Sequence, residues 1–367
     1  MNTRLRDSAS PPRLLVAASG TGGHVFPALA IAEQLPDWQI EWLGVPDRME
    51  VKLVQERYPL HRIAMSGLQG SLLEKLRALA QLGRSTLQVR QILKAGRFDA
   101  VLTTGGYIAA PAILAARSLG VPVLLHESNL IPGKVTRGLG KLCRVVALGM
   151  AETVEKLPGL NTQVVGTPVR AEFYTPQPFP ADIPIPQGDP MILVMGGSQG
   201  ARGLNRMVVA CAEAWLQTGA WIVHLTGETE AAALEAIAPH HPRYWRFPFR
   251  EDVASLLQRA DFAISRSGAI SLAELMATAT PAVLIPYPFA AEDHQYHNAL
   301  AFVRHGGGVV MRESEKNLDW LRQTVLAWLA QPETVAQMAA NLKSTAYPAA
   351  GKAIAHLLQG ILKDSAR

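Results

Sequence analysis

Short apolar runs that end in glycine, each followed by apolar positions at helical spacing, recur along the 367 residues. Arg13 to Ser19 (RLLVAAS) runs into Gly20, and from Pro27 to Leu35 apolar residues return about every 3.6 positions. The pattern predicts strand, turn, helix. It repeats with Ile40–Leu43 as a strand and Arg48–Tyr58 as a helix. Ala100–Thr103 then forms a strand into Gly105-Gly106, and Val121–His126 another. Short strands without a polar face, alternating with helices, predict a parallel sheet covered on both sides.

Between Gly166 and Pro190 this grammar breaks down. Pro168, Pro176, Pro178, Pro180, Pro184, Pro186 and Pro190 crowd the stretch, which reads as a linker. Beyond it Met191–Met195 (MILVM) runs into Gly196-Gly197, and a helix follows from Leu204 to Leu216. The expected architecture is α/β: two Rossmann-like, doubly wound parallel-sheet domains facing a cleft at the carboxyl ends of their strands. The expected boundaries are residues 1–166, residues 167–345, and a final helix over 346–367 packing back on the first domain.

Composition supports a globular chain, with 49% hydrophobic and 18% charged residues and no low-complexity tract. Cys143 and Cys211 are too few and too far apart for a disulfide framework or a zinc site. Met1 to Pro12 is polar and holds no apolar core of an export signal, so the chain is expected in the cytoplasm. The longest uncharged stretch, Ala100 to Ala116, is interrupted by Gly105, Gly106 and Pro111 and falls short of the roughly 20 residues of a spanning helix. A net charge of +5 suits nucleic acid, an anionic membrane surface or phosphorylated ligands. Aromatic residues are not interleaved with Lys or Arg and no nucleic-acid signature is present, so no nucleic-acid partner is expected.

The turns carry the chemistry. Gly20-Thr21-Gly22-Gly23-His24 lies between a strand and a helix, where backbone N–H groups and the helix start can meet an anion. A tight structural turn is the alternative. There is no GxxxxGK[ST], and Val25 breaks a full GxGxxG. Gly196-Gly197-Ser198-Gln199-Gly200-Ala201 offers a second anion site with the Ser198 hydroxyl as a donor. A nicotinamide enzyme needs an acidic residue about 20 positions on, and Gly44 and Asp47 fit this poorly. In Ser265-Arg266-Ser267-Gly268-Ala269 a helix begins, and Glu274 inside it can accept both hydroxyls of a ribose or be a plain solvated residue. No DxD triplet occurs, so no metal is expected and leaving-group charge falls to backbone dipoles and cations such as Arg170. His24 is a candidate base or a structural hydrogen-bonding group. Leu72 to Arg97 combines leucines with Lys75, Arg77, Arg84, Arg90, Lys94 and Arg97, as either an amphipathic helix on the sheet or a membrane face.

Taken together, these segments resemble the MurG family, bacterial undecaprenyldiphospho-muramoylpentapeptide β-N-acetylglucosaminyltransferases. The resemblance is carried by GTGGHVFPALAIAEQL from Gly20, DRME from Asp47, GGYIAAP from Gly105, HESN from His126, GTPVR from Gly166, GGSQGARGLN from Gly196, and RSGAISLAEL with HQYHNA further on. It spans about Arg13 to about Gly308. It implies a glycosyltransferase-B fold and inverting transfer of N-acetylglucosamine from UDP-N-acetylglucosamine to the C4 hydroxyl of the muramoyl sugar of lipid I, with no cofactor. By position, Ser198 and the helix start at Ala269, Ile270 and Ser271 serve the donor diphosphate, Glu274 the ribose and Gln295 the sugar, while backbone near Arg250 reads the uracil. Thr21, Gly22, Gly23, Asn129 and Arg170 complete the donor site, and His24 and Glu127 face the acceptor as catalytic candidates. The polyprenyl acceptor implies peripheral attachment to an anionic membrane surface at the cytoplasmic face, through the leucine-rich basic stretch. The chain departs from the family pattern at Thr167, where Asn is expected, and at Ser128 and Leu130, where Gln and Gly are frequent. An isomerase of the same fold acting on the donor alone, or a nucleotide-sugar-binding scaffold, would share these turns.

Overall fold

The structure is a computed structural model that describes residues 10–20, 22–46, 53–65, 72–197 and 201–365. Two compact units emerge: Met1–Arg170 with Ala349–Arg367, and Ala171–Pro348.

The first unit is built on seven parallel strands in the order β3-β2-β1-β4-β5-β6-β7. They are β1 (Arg13–Ala17), β2 (Gln39–Gly44), β3 (Leu60–Arg62), β4 (Ala100–Thr103), β5 (Val123–Glu127), β6 (Val145–Leu148) and β7 (Thr162–Val164). Alternation along β1 sends Leu14 and Val16 to one face and Leu15 and Ala17 to the other. On the first face they meet α1 (Gly22–Ala32) and the last helix of the chain, Ala350–Ser365, through Ile31, Ile354, Leu358 and Ile361. On the second face the cover is α2 (Leu72–Gly96) and α3 (Ala109–Leu119), through Val89, Leu93, Ile113 and Ala116. Burial on both sides explains why the strands carry no polar alternation.

The second unit has six parallel strands in the order β10-β9-β8-β11-β12-β13. These are β8 (Met191–Met195), β9 (Trp221–Leu225), β10 (Tyr244–Phe247), β11 (Phe262–Ser265), β12 (Ala282–Leu284) and β13 (Gly308–Val310). Ile192, Val194, Ile264 and Val283 face Trp215 and Leu204 of the helix Arg202–Leu216. In each unit the chain winds outward in both directions from a central pair, β1/β4 and β8/β11. That reversal is the switch point at which doubly wound sheets hold ligands.

The proline-rich stretch differs from its reading as a linker. Phe173 and Ile183 are buried. The helix Val253–Arg259 ties the stretch down: Gln258 Nε2 donates to the Glu172 and Thr175 carbonyls at 3.0 and 2.9 Å, and its Oε1 accepts from Gln177 N at 2.8 Å. Arg259 donates to the Pro186 and Asp189 carbonyls at 2.9 and 2.8 Å. Proline removes backbone donors, but the carbonyls that remain are enough to anchor the chain. Residues 48–52 of the expected helix Arg48–Tyr58, and the DRME segment, lie outside the described residues.

Candidate active site

In the first unit, β1 is followed three residues on by Gly20, whose φ of +107° glycine alone adopts without strain. Thr21 lies outside the described residues. Helix α1 starts at Gly22, so Gly22, Gly23 and His24 form its first turn. The His24 ring meets the end of β4, with Nδ1 2.7 Å from the Thr104 carbonyl oxygen. In return Thr104 Oγ1 donates to the His24 carbonyl at 2.9 Å. A carbonyl only accepts, so Nδ1 carries the proton and Nε2 presents its lone pair. Gly105 and Gly106 (φ +93° and +74°) run beside the imidazole, where a Cβ on Gly106 would stand 3.4 Å from Nε2. The half-buried His24 is thus fixed in orientation and in tautomer.

Glu127 ends β5 and is 5% exposed. Its Oε1 accepts from Asn129 N and Nδ2 at 3.1 and 3.2 Å. Its Oε2 accepts from Gly133 N at 2.9 Å and Thr136 Oγ1 at 2.7 Å. Both oxygens are engaged with the chain's own loop, and Asn129 is part of that cluster. The next residue back, His126, is fully buried and its Nε2 donates to the Gly166 carbonyl at 3.1 Å. Burial pushes this imidazole down to about 4. Thr167 packs on Gly149, where a methyl group would overlap Thr167 Oγ1. Arg170 lies over the Phe26 ring, its guanidinium carbon 5.1 Å from the centroid.

In the second unit, β8 runs into Gly196 and Gly197 (φ +93°). The turn folds back so tightly that a Cβ at Gly196 would overlap the Ala201 methyl. Ser198 lies outside the described residues. From the helix Arg202–Leu216, Asn205 Nδ2 donates to the Thr226 carbonyl at 2.9 Å, at the end of β9. Asn205 Oδ1 accepts from His224 Nε2 at 3.0 Å, so Nδ1 of this buried histidine accepts from Tyr244 Oη at 2.8 Å. Burial lowers His224 to about 3, which keeps it neutral.

β11 ends on Arg266, Ser267 and Gly268. Arg266 is 6% exposed, donates to the Ile285 and Pro286 carbonyls at 2.9 and 3.1 Å, and pairs with Glu313 at 2.6 Å. The same carboxylate lies over Gly203, where a methyl group would overlap it. Thus Glu313 braces the start of Arg202–Leu216 against the β11 turn. Gly268 precedes the helix Ala269–Ala277 and has no side chain to cap it, leaving the N–H groups around Ala269, Ile270 and Ser271 aimed past the strand end. Glu274 sits half-buried on that helix. Ser267 Oγ donates to the Gln295 carbonyl at 2.8 Å. Gln295 Oε1 accepts from Tyr287 N at 3.0 Å, and its Nε2 makes no hydrogen bond among the described residues. Arg250 follows β10 with its guanidinium committed to Asp252 and Asp182.

Among the described residues, those expected from sequence follow β1 (Gly22, Gly23, His24), β5 (Glu127, Asn129) and β7 (Arg170) in the first unit, and β10 (Arg250), β11 (Ala269, Ile270, Ser271, Glu274) and β12 (Gln295) in the second. Thr104, Asn205, His224 and Glu313 were not anticipated. Of these, only Asn205 lies within a motif the sequence singles out. Among the described residues no group of three or more His, Cys, Asp or Glu could hold a metal ion.

Known proteins match this arrangement along the whole chain. Residues 14–148 match the glycosyltransferase family 28 N-terminal domain and residues 191–353 its C-terminal domain. A UDP-N-acetylglucosamine--N-acetylmuramyl-(pentapeptide) pyrophosphoryl-undecaprenol N-acetylglucosamine transferase from Synechococcus sp. (strain JA-2-3B'a(2-13)) is 78% identical, covering 100% of both chains. The transferase of the same description from Rippkaea orientalis is 52% identical over 96% of this chain and 99% of its own. The crystal structure of Acinetobacter baumannii MurG superposes with a TM-score of 0.79 at 31% identity, covering 95% of this chain and 100% of that one. The chain belongs to the MurG family of glycosyltransferases.

Proposed function

We propose that the chain transfers N-acetylglucosamine from UDP-N-acetylglucosamine to the C4 hydroxyl of the muramoyl sugar of lipid I, with inversion at the anomeric carbon. The product is lipid II, and the role is in peptidoglycan synthesis. The observation that carries this reading is the 78% identity, without a gap in coverage, to a transferase of that description.

The first unit supplies the base. His24 Nε2 takes the proton from the acceptor hydroxyl as its oxygen attacks the anomeric carbon, and the glycosidic bond to UDP breaks. Thr104 holds the tautomer this requires. Glu127, whose oxygens are already engaged, acts by shaping the loop that presents Asn129. Gly22, Gly23, Thr21 and Arg170 meet the transferred sugar and its leaving phosphate.

The second unit grips the donor. The helix start at Ala269, Ile270 and Ser271, with Ser198, faces the diphosphate, Glu274 the ribose hydroxyls and Gln295 Nε2 the sugar. Because the Arg250 side chain is engaged with two aspartates, uracil is read by backbone at Phe249 and Arg250.

Among the described residues no helix is long and apolar enough to cross a membrane. The lipid acceptor is reached by peripheral attachment at the cytoplasmic face. On α2, Leu79 and Leu87 are 58% and 63% exposed, and Arg77, Arg84, Arg90 and Lys94 are exposed with them. No acidic residue occurs from Arg77 to Gly96, a combination suited to anionic lipid.

The test is turnover of UDP-N-acetylglucosamine with a short-chain lipid I analogue, read as disaccharide product and UDP. No product with any lipid I analogue overturns the reading. Formation of a manno epimer from donor alone would identify an isomerase instead.

A further inference from the structure

One arginine joins the proline-rich stretch to the end of β10. Arg250 Nε and Nη2 donate to the two oxygens of Asp252 at 2.7 and 2.6 Å. Its Nη1 and Nη2 donate to the two oxygens of Asp182 at 2.6 and 3.1 Å. The guanidinium also lies over the Phe247 ring, 4.6 Å from its centroid. The side chain is 15% exposed while that of Asp182 is 59% exposed. Two carboxylates outnumber the single cation, so the cluster cannot serve as an anion site for the donor phosphates. Four of its five N–H donors are spent, so it has little left to offer a base. What it can do is hold backbone still: a fork fixed on two partners removes the rotations of the residue that carries it.

The two ends of the run Phe247–Arg250 are themselves held. Asp182 adjoins the buried Ile183 on the stretch anchored by Gln258 and Arg259. On the other side Thr226 N donates to the Phe247 carbonyl at 2.9 Å, and the Thr226 carbonyl accepts from Asn205, itself held by His224. The run Phe247–Arg250 is thus clamped at both ends, with the 58% exposed Phe249 between.

We propose that Arg250 is a positioning residue for pyrimidine recognition. Its side chain, locked on Asp182 and Asp252, sets the backbone of Phe249 and Arg250 at the spacing that a uracil edge requires, and it makes Asp182 of the proline-rich stretch part of the nucleotide-selecting machinery. This rests on the donor assignment above. A uracil edge alternates acceptor, donor and acceptor, so backbone groups read it only when held within hydrogen-bonding geometry.

The experiment is calorimetric titration of the full chain and its D182N, R250M and R250K variants with UDP and with ADP. Steady-state kinetics on the donor accompany it. D182N and R250M are expected to weaken UDP about tenfold with ADP nearly unchanged, so that selectivity narrows by the same factor, and the loss to fall on the donor KM rather than kcat. R250K, with a point charge in place of a fork, should resemble R250M. Equal weakening of UDP and ADP, or unchanged UDP affinity in both D182N and R250M, overturns the proposal. Should R250M fail to fold, D182N alone decides, because its exposed side chain supports no core. A parent chain that binds no UDP at all overturns the donor assignment and the proposal with it.

Discussion

His24 and Thr104 hold each other at two points: the imidazole Nδ1 donates to the Thr104 carbonyl at 2.7 Å, and Thr104 Oγ1 donates to the His24 carbonyl at 2.9 Å. A base that must accept one proton at one nitrogen gains orientation from the first bond and a fixed backbone from the second. Replacing His24 with Gln, which keeps a polar group of similar reach, should lower kcat by roughly 10²–10⁴ with little change in donor KM. Thr104→Val removes only the hydroxyl bond and should cost far less, on the order of tenfold. Steady-state kinetics with a short-chain lipid I analogue check both; a Gln variant of near-parental kcat would remove His24 from the role of base.

Glu127 should behave as the organiser of its loop. Glu127→Gln turns an amide N–H₂ toward donors that need an acceptor, and the cost should be about 1–3 kcal/mol of stability in urea unfolding. The amides of Gly133 and Asn129, which donate to Oε2 and Oε1, should lose exchange protection together.

A methyl group at Gly149 meets Thr167 Oγ1 and also the Ser128 backbone, at 3.0 Å. Gly149→Ala should destabilise the chain by about 1–3 kcal/mol. Adding Thr167→Ala removes the side-chain part of the clash, so the double variant should recover part of the loss, measurable as a coupling in a double-mutant cycle.

Two buried histidines predict acid sensitivity. In the unfolded chain both take up a proton near 6.5, whereas in the folded chain burial holds His126 at about 4 and His224 at about 3. Below 6.5 the unfolded state therefore binds more protons, and stability falls as pH drops through the window from 6.5 toward these values. Each histidine contributes a slope of roughly 1.4 kcal/mol per pH unit across its window. Urea unfolding at several pH values should show a shallower acid slope for His224→Gln than for the parent.

If α2 meets lipid, Leu79→Glu with Leu87→Glu should reduce co-sedimentation with anionic vesicles by roughly tenfold. Turnover of a water-soluble acceptor analogue should be unchanged. Equal binding of parent and variant to anionic vesicles would assign this face another purpose.

The sheets were legible because their central strands are buried on both sides. Ala100–Thr103 and Met191–Met195 have the bounds their apolar runs predict. Edge strands such as Leu60–Arg62 and Thr162–Val164 are short and partly polar, and leave no such trace. Helix α1 begins at Gly22, ahead of the predicted Pro27, because glycine gives no helical signal although the turn demands it. In the candidate site the glycine turns and His24 could be read directly. The partner of His24 could not, since it is a backbone carbonyl 80 positions away and every residue has one. Glu127 entered only through the family resemblance, and its engagement depends on how the following nine residues fold. Prolines marked an irregular stretch without revealing that Gln258 and Arg259 hold it.

The last helix of the chain, Ala350–Ser365, completes the core of the first unit through Ile354, Leu358 and Ile361. As the protein is synthesised, the part of this core that the helix covers stays open until residues 350–365 have been made. The amino-terminal unit therefore depends on residues made after the whole of the second unit, and deleting residues 350–365 would open its core while leaving every element of the second unit in place.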